Sequence, residues 1–411
     1  MSYILTVNPN QIFGEDSPYW ASAFIATALG AVIGTLLMAF VAKMPLAQAS
    51  GMGLNSMLGG IIGGWGGYGA AFTPGQGFML VLISGLVFML MSVVKIKGKS
   101  FRELAFDGMP ITVRSAISVG IGLFIAFIGL QSAGVIVNND ATLVALGDIT
   151  SGSALLALIG LVITGFLYAK KVPGAILIGI LVTMVIGIPM GVTEFKGVLS
   201  QPESISPIFC KFEFDKILSL DMLIVVFTFL FIDMFDTVGT LVGVCTKAGM
   251  TDEKGNILRI KEAFMADSIA TTVGAALGTS TTTTYVESAA GVAQGGRSGL
   301  TAFAVACCFA VAMFFSPLFL SIPAAATAPA LLIVGLLMLE PIKYIPFEDF
   351  SESIPAFVCI ITMPLSYSIS NGILMGMISY VLMNLICGNK KKVTPVMAIL
   401  AVLFVLKYIF I

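Results

Sequence analysis

The sequence contains no histidine and few charged residues of either sign. Only 10% of its 411 residues are charged and 58% are hydrophobic, whereas about 25% of an average soluble domain is charged. A soluble protein of this length could not cover its surface with so few charges. Soluble enzymes, nucleic-acid-binding proteins and secreted disulfide scaffolds are therefore excluded as main interpretations. The net charge of −1 says nothing about partners.

Metal and cofactor signatures are also missing from the sequence. Its six cysteines form no CxxC pair, and most of them fall inside apolar runs, where cysteine acts as a small apolar side chain. Without histidine and without a cysteine cluster, the sequence predicts no zinc or haem site and no other cofactor.

Apolar runs of about 20 residues recur along the whole chain and predict an all-α membrane protein with many spans. Residues 1–12 are apolar but cover only about half a span. Segments 50–71 and 261–295 are rich in glycine, serine and threonine and predict broken helices, which membranes tolerate where protein or water covers the backbone. The predicted spans are 21–42, 76–95, 112–130, 153–170, 174–190, 221–246, 298–316, 322–340, 354–368, 371–388 and 394–410, the last being either a span or an interfacial helix.

The orientation follows from the lysine and arginine content of the short loops. Loops 96–114, 170–173 and 247–261 are basic and are predicted to face the cytoplasm. Segments 131–152, without lysine or arginine, and 191–220, where acids balance the lysines, are predicted to be external.

A weak internal repeat divides the chain into two halves. Residues 25–35 (IATALGAVIGT) and 269–279 (IATTVGAALGT) agree at seven of eleven positions, and Pro110 and Pro323 each open a span. The agreement is either chance similarity between small-residue helices or the trace of a duplicated unit of about seven helices. In the second case, paired glycine-interrupted segments indicate a transporter site between the halves.

Two acids lie inside the predicted span 221–246. An ionisable side chain at that depth costs about 2.5–3.5 kcal/mol on insertion scales, so it is a candidate functional residue. Asp233 and Asp236 are three residues apart and share one helix face. A structural pairing with lysine or arginine is the alternative, but no such residue lies at comparable depth in another predicted span.

The segment 266–299 contains two more acids. Asp267 begins a small-residue helix, and its alternative role is a cytoplasm-facing helix start. Residues 281–286 (TTTTYV) are β-branched and aromatic and predict a strand, for which 48–53 from the other half is the expected partner. Glu287 then opens a short helix, either as a capping acid or as a ligand. Carboxylates together with free helix N–H groups would suit a neutral heteroaromatic ligand.

Two further motifs are TVNPN, which contains Asn8, and GMGLNS at 51–56, which contains Leu54 and Asn55. Asn8-Pro9 is either a turn that ends a helix or a site element. The glycines and Asn55 of the second motif are either packing residues at a helix crossing or part of the site.

The motifs FLFIDMFDTVGTLVG, ADSIATTVGAALGTSTTTTYVESAAGV and GMGLNS closely resemble the AzgA-like purine permeases, a branch of the nucleobase–cation symporter-2 (xanthine/uracil permease) family. The resemblance covers essentially the whole chain. It implies about 14 transmembrane segments in two inverted seven-segment repeats, with two short antiparallel strands at the midplane. It also implies a UraA-like division into a core domain, 1–95 and 221–316, and a gate domain, 96–190 and 322–411.

The same resemblance implies roles for single residues. Asp236 and Glu287 match the two main substrate ligands, Asn8 matches the asparagine of the first segment, and Asp267 matches an acid linked to coupling or gating. Thr240 stands where uracil-type relatives have histidine, so proton coupling would have to use carboxylates, Asp233 included. The expected substrate-binding set is completed by Tyr285, Val286, Leu54 and Asn55. Family members carry further residues ahead of Asn8, so either the first span is shortened here or the start codon is assigned too late.

The expected function is secondary active import of purine bases (adenine, guanine or hypoxanthine) by proton symport in the plasma membrane, and not enzyme catalysis. The expected partners are the base, protons, the bilayer and a second copy bound through the gate domain, without nucleic acid. Alternatives are a xanthine, uracil or anion carrier on the same fold, a channel, or a non-transporting receptor. A channel needs a continuous polar lining, whereas the polar residues here cluster at one level.

Overall fold

The computed structural model describes the chain except for residues 2, 15, 64–71, 97–98, 101–108, 151, 216, 218, 251–256, 286, 294, 368, 396, 400, 403–404 and 406–411. Helices dominate the described residues. Six of these helices are long and apolar enough to cross a membrane. They are Trp20–Ala42, Pro74–Val93, Ile111–Ser132, Gly152–Ala169, Gly299–Leu320 and Ala324–Tyr344.

The first half of the chain forms seven segments, and its third segment begins with a strand. Their bounds are α1 (Ile4–Phe13), α2 (Trp20–Leu37, continued by a π-helical turn to Ala42), β1 (Gln48–Ser50) with α3 (Met52–Gly63), α4 (Pro74–Val93), α5 (Ile111–Ser132), α6 (Gly152–Ala169) and α7 (Ala175–Gly187). Two hairpins lie in the loops, β2 (Lys95–Ile96) with β3 (Lys99–Ser100) and β4 (Ile136–Asn139) with β5 (Leu143–Leu146).

The second half repeats this order of seven segments. Their bounds are α8 (Leu220–Ala248), α9 (Ile260–Leu277), β6 (Thr282–Thr284) with α10 (Ser288–Ala293), α11 (Gly299–Ala312) continued through a 3-10 turn into α12 (Ser316–Leu320), α13 (Ala324–Met338), α14 (Phe350–Leu365) and α15 (Ile369–Ile386). The described residues thus confirm the predicted architecture of seven plus seven segments. The apolar run 394–410 follows them and lies largely outside the described residues.

The internal repeat is visible in the structure. The two matching sequences lie at equivalent places, one in α2 and the other in α9 with the turn that follows it, and these helices pack together. Pro110 and Pro323 occupy equivalent N-cap positions, before α5 and before α13. Proline suits such a position because the first helical turn needs no hydrogen bond from its nitrogen. Chance similarity would not place both pairs seven segments apart.

The two predicted strands meet antiparallel at the centre of the molecule. Gln48 pairs with Thr284 and Ser50 pairs with Thr282, and all residues of both strands are buried. The pairing satisfies backbone groups that would otherwise be unpaired in an apolar interior. It confirms the predicted strands, each of which is shorter than the sequence suggested.

The helices α14 and α15 are joined at one end by a charged cluster. Lys392 Nζ lies 2.7 Å from an Asp349 carboxylate oxygen and 3.0 Å from Glu352 Oε1. The Tyr380 hydroxyl donates to the same Glu352 oxygen over 3.0 Å. Hydrogen bonds from Lys392 and then from Ser351 lower the pKa of Asp349 to about 2. The cluster ties the start of α14 to α15 and to the 3-10 turn that follows it.

Candidate functional site

A cavity with about 460 Å³ of empty volume, part of it open to solvent, lies beside the central strand pair. Its wall combines the start of α3, the middle of α8 and the turn after β6 with two apolar helices, α5 and α13. The lining residues are Gly51, Met52, Gly53, Leu54, Ile121, Ile125, Ile232, Asp236, Thr240, Thr284, Tyr285, Glu287, Val334 and Met338.

Two carboxylates line the cavity. Asp236 lies in the middle of α8, and Thr240 lies one helical turn further along the same face. Glu287 lies directly before α10, where the strand β6 has ended. Both acids are acceptors when ionised and offer several lone pairs each. The cavity can therefore bind a ligand that presents N–H groups.

Another part of the wall is aliphatic and is built by both halves of the chain. Ile121 and Ile125 come from α5, and Val334 and Met338 come from α13. Ile121 and Val334 each follow the proline that opens their helix by eleven residues, and Ile125 and Met338 follow it by fifteen. Equivalent positions of the two repeats thus form one apolar surface. Such a surface suits the flat face of a ring system rather than a hydrated ion.

The helices α5 and α13 cross very closely beside this wall. A Cβ on Gly122 would lie 2.7 Å from the carbonyl oxygen of Gly335, and a Cβ on Gly335 would lie 2.5 Å from the carbonyl oxygen of Gly122. Neither distance is sterically possible, so both positions require glycine. The two glycines directly follow Ile121 and Val334, so the crossing sets the spacing of the apolar wall.

Gly51 brings the first half of the chain next to Asp236. A Cβ on Gly51 would lie 2.9 Å from Thr283 Cγ2 and 3.5 Å from Asp236 Oδ2. The N–H of Gly51 donates to the carbonyl of Thr281 over 3.1 Å. The end of β1 therefore packs directly against β6 and against the acid that lines the cavity.

Asp267 lies behind the strand pair and is fully buried. Its Oδ1 accepts from the Thr237 hydroxyl over 3.2 Å and from Gln48 Nε2 over 3.5 Å. The hydroxyls of Thr237 and Thr283 are 2.7 Å apart. Asp267 is thus bonded to the hydroxyl of Thr237, the residue that directly follows Asp236, but it is not among the described lining residues. The geometry joins α8, α9 and both strands into one hydrogen-bonded unit.

Asn8 is buried in a second polar cluster on the far side of β1. Its Nδ2 lies 2.6 Å from the hydroxyl of Thr27, 2.7 Å from that of Thr279 and 3.3 Å from that of Ser50, and its two N–H groups are shared among these acceptors. These hydroxyls belong to α2, to the turn after α9 and to β1. Asn8 therefore ties the first helix to both repeats, and it lies outside the described cavity lining.

Only some of the other predicted site residues line the cavity. Leu54, Tyr285 and Thr240 line the cavity together with the two acids. Asp233 and Asn55 are fully buried and are not among the described lining residues. Val286 lies outside the described residues. In the part of the chain that the structure describes, no group of three or more acidic or cysteine side chains could hold a metal ion.

Two tyrosines hold the turn that carries Glu287. The Tyr285 hydroxyl donates to the carbonyl of Ser50, and the Tyr3 hydroxyl donates to Glu287 Oε1. Sequence reasoning missed Tyr3 and the four aliphatic residues that α5 and α13 contribute to the cavity wall. The equal spacing from Pro110 and Pro323 is the signal that could have located the wall, whereas no local signal indicates Tyr3.

Comparison with known proteins agrees with the motifs. The sequence model of the Permease family matches residues 1–375. A putative permease from Methanocaldococcus jannaschii is 43% identical over 411 residues, covering 100% of this chain and 92% of the relative. The guanine/hypoxanthine permease PbuG from Bacillus subtilis is 41% identical over 423 residues, covering 100% and 93%. The adenine permease AdeP from Escherichia coli is 37% identical over 412 residues, covering 100% and 90%.

Solved structures share the fold at low sequence identity. The transmembrane domain of a cyanobacterium bicarbonate transporter, BicA, superposes with a TM-score of 0.62 at 16% identity, covering 90% of this chain and 94% of that one. SLC26A9 superposes with a TM-score of 0.60 at 12% identity, covering 94% and 64%. These likenesses establish the fold alone. The whole-length relatives and the matching family model show that the chain belongs to the Permease family of xanthine/uracil permeases, a family of multi-pass membrane transporters.

Proposed function

We propose that the protein imports purine nucleobases such as adenine, guanine or hypoxanthine across the plasma membrane by proton symport. Relatives that align along the whole chain are named as adenine and guanine/hypoxanthine permeases. The cavity also offers the chemistry that a purine requires, since two carboxylates and four aliphatic side chains from α5 and α13 line the same space. This arrangement is the observation that carries the proposal.

A purine base presents apolar ring faces and an edge with ring N–H groups. Asp236 and Glu287 would accept hydrogen bonds from those N–H groups, and such charge-assisted bonds are stronger than neutral ones. The Thr240 hydroxyl can donate to an acceptor atom of the ring. The ring face would pack against Ile121 and Met338. Adenine, guanine and hypoxanthine differ only in the pattern of donors and acceptors along this edge, so a competition panel must rank them.

Proton symport requires a group that binds a proton on one side of the membrane and releases it on the other. The chain contains no histidine, so a carboxylate is the group that can do this. Asp236 and Glu287 touch the proposed substrate position, and Asp267 is linked to Asp236 through Thr237. We assign the coupling to these three acids. Substrate binding and protonation would then act on the same small region.

We further propose that residues 1–95 with 221–316 move as a core against a gate formed by 96–190 with 322–411. The polar side of the cavity belongs to the first group and the aliphatic wall belongs to the second. The segment between α7 and α8 supports the rigidity of the core, because it bonds to four of its elements. Its contacts are Ser22 Oγ to the carbonyl of Ser204 (2.9 Å), the N–H of Ser200 to the carbonyl of Phe314 (3.0 Å), the N–H of Cys210 to the carbonyl of Ala276 (2.8 Å) and Thr73 Oγ1 to Glu213 Oε2 (2.6 Å).

Uptake of radiolabelled bases tests the function. Cells that lack their own purine permeases should accumulate adenine, guanine or hypoxanthine when they express the protein, and a protonophore should abolish the accumulation. Unlabelled adenine, guanine and hypoxanthine should compete, whereas uracil and xanthine should compete weakly. Equal uptake by cells with an empty vector would refute purine transport.

An anion carrier on the same fold is the second candidate, because a bicarbonate transporter shares the fold. The described cavity lining contains two acids and neither lysine nor arginine. Such a lining repels a small anion, so it favours the neutral base. Bicarbonate in excess should therefore leave purine uptake unchanged.

A further inference from the structure

Glu287 is contacted by a residue near the start of the sequence. The hydroxyl of Tyr3 donates to Glu287 Oε1. Tyr3 is only 1% exposed and is not among the described lining residues, whereas Glu287 lines the cavity. One donor leaves most of the acceptor capacity of a carboxylate unused. Tyr3 can therefore hold Glu287 without blocking its access to a ligand.

The position of the Tyr3 hydroxyl is fixed by the packing of its own helix. The ring lies within the main apolar core. The helix α1, which begins at the next residue, is buried from Ile4 to Pro9. Asn8 ties this helix to the hydroxyls of three other elements, and the Thr6 hydroxyl lies 3.5 Å from the carbonyl oxygen of Phe319. A buried ring on an anchored helix is a rigid hydrogen-bond donor.

The backbone on both sides of Glu287 is also fixed. The N–H of Tyr285 donates to the carbonyl of Ala47 over 3.0 Å, and the N–H of Ala47 donates to Ser288 Oγ over 3.0 Å. The Tyr285 hydroxyl binds the carbonyl of Ser50. The long side chain of Glu287 still has several rotatable bonds, and ordering it on binding would cost conformational entropy. The contact with Tyr3 restricts that freedom before a ligand arrives.

We propose that Tyr3 is a positioning residue that holds the Glu287 carboxylate at the angle at which it accepts the ring N–H of a purine. The proposal rests on the function proposed above, since it assigns Glu287 to the substrate. Pre-ordering a ligand-binding group raises affinity because less freedom is lost on binding. Tyr3 does not touch the substrate in this arrangement and acts through Glu287.

Binding of labelled adenine, guanine and hypoxanthine to purified protein tests this role. Tyr3→Phe keeps the buried ring and removes the hydroxyl, and it should weaken binding of the best purine about tenfold, as expected for a lost hydrogen bond to a charged group. Tyr19→Phe removes the hydroxyl of a ring that is 40% exposed and should bind like the wild type. Unchanged affinity in Tyr3→Phe, in a protein that elutes as a single folded species, refutes the proposal.

A double-mutant cycle separates positioning from simple packing. Glu287→Asp shortens the acid by one methylene group and withdraws it from Tyr3. If Tyr3 acts through Glu287, Tyr3→Phe should then cause no further loss in the Glu287→Asp background. If the two losses multiply, Tyr3 acts independently of Glu287, and the positioning role is wrong.

The same measurements distinguish this proposal from the proposed function. A wild-type protein that binds none of the three purines would refute purine transport itself. If the wild type binds purine and Tyr3→Phe binds it equally tightly, the proposed transport function stands and only the positioning role of Tyr3 is refuted.

Discussion

Asp233 and Asp236 lie three residues apart on α8, yet only Asp236 is among the residues that line the described cavity. Asp233 is fully buried in the interior. The difference arises because three residues turn a helix by about 300°, so the two side chains diverge by about 60°. In a tightly packed protein this divergence separates a ligand-facing acid from an interior one.

This relationship predicts different effects of two matched substitutions. Asp236→Asn removes a charged acceptor that would contact the substrate, which costs about 1.5–3 kcal/mol, and should reduce purine uptake about tenfold to a hundredfold. Asp233→Asn should reduce uptake less than tenfold. Initial uptake rates, normalised to the amount of protein in the membrane, provide the measurement. A larger loss in Asp233→Asn would mean that α8 is rotated relative to this description.

Glu287 provides a second test, because Gln has almost the same size but no charge. Glu287→Gln should lose at least nine-tenths of purine binding, since Gln is a neutral acceptor and a weaker partner for a ring N–H. Expression in the membrane should stay normal. Binding of labelled purine to purified protein measures the loss, and Glu203→Gln, which changes an exposed acid in the segment between α7 and α8, is the control. Wild-type affinity in Glu287→Gln would show that Glu287 is only a capping acid of α10 and not a ligand of the base.

Most of the membrane spans were predictable because long apolar runs mark them, and the threonine-rich run at 281–284 favours a strand. The count of seven plus seven segments followed from the resemblance to the purine permeases. The equivalence of Pro110 and Pro323 was also predictable, because each proline opens an apolar run in the sequence. The hairpin formed by β4 and β5 was not predicted, since segment 131–152 carries a weaker signal than a span. An exposed loop hairpin depends on local turn geometry more than on burial.

The acids of the site were predictable for a simple physical reason. A carboxylate within an apolar span is costly, so it stands out in the sequence. The aliphatic wall did not stand out, because Ile121 or Val334 looks the same whether it faces lipid, the core or a ligand. Tyr3 and Glu287 are separated by 284 positions, and only the folded chain brings them together.

The close crossing of α5 and α13 predicts a packing defect at two equivalent positions. Gly122→Ala or Gly335→Ala places a methyl group against a backbone oxygen, and overpacking of this kind costs about 1–3 kcal/mol. The helices must separate, which moves the aliphatic wall away from the ligand. Each variant should lower the melting temperature and raise the KM for uptake.

Gly165→Ala is the matched control for this crossing, because a Cβ on Gly165 meets nothing within 4 Å. It should leave both the melting temperature and the KM unchanged. Normal kinetics in Gly122→Ala would show that the crossing does not set the shape of the cavity.

Native cysteines allow the orientation to be tested. Cys210 is exposed in the segment predicted to be external, and Cys387 is exposed at the end of α15, beside the basic residues 390–392 that favour the cytoplasm. An impermeant maleimide added to intact cells should label the wild type and should not label Cys210→Ser. Cys387→Ser should label normally. Labelling of Cys387 without labelling of Cys210 would show that the topology is the inverse of the predicted one.

The last prediction concerns energy coupling without histidine. Asp236 and Glu287 line one cavity, and we propose that one of these two carboxyl groups carries a proton into the cell with the base. Purine uptake should therefore rise as the external pH falls from about 8 to about 6, and it should collapse when a protonophore removes the gradient. Replacing external sodium by potassium should leave the rate of purine uptake unchanged. If uptake follows a sodium gradient and ignores pH, the proton-symport mechanism is wrong, although purine transport would stand.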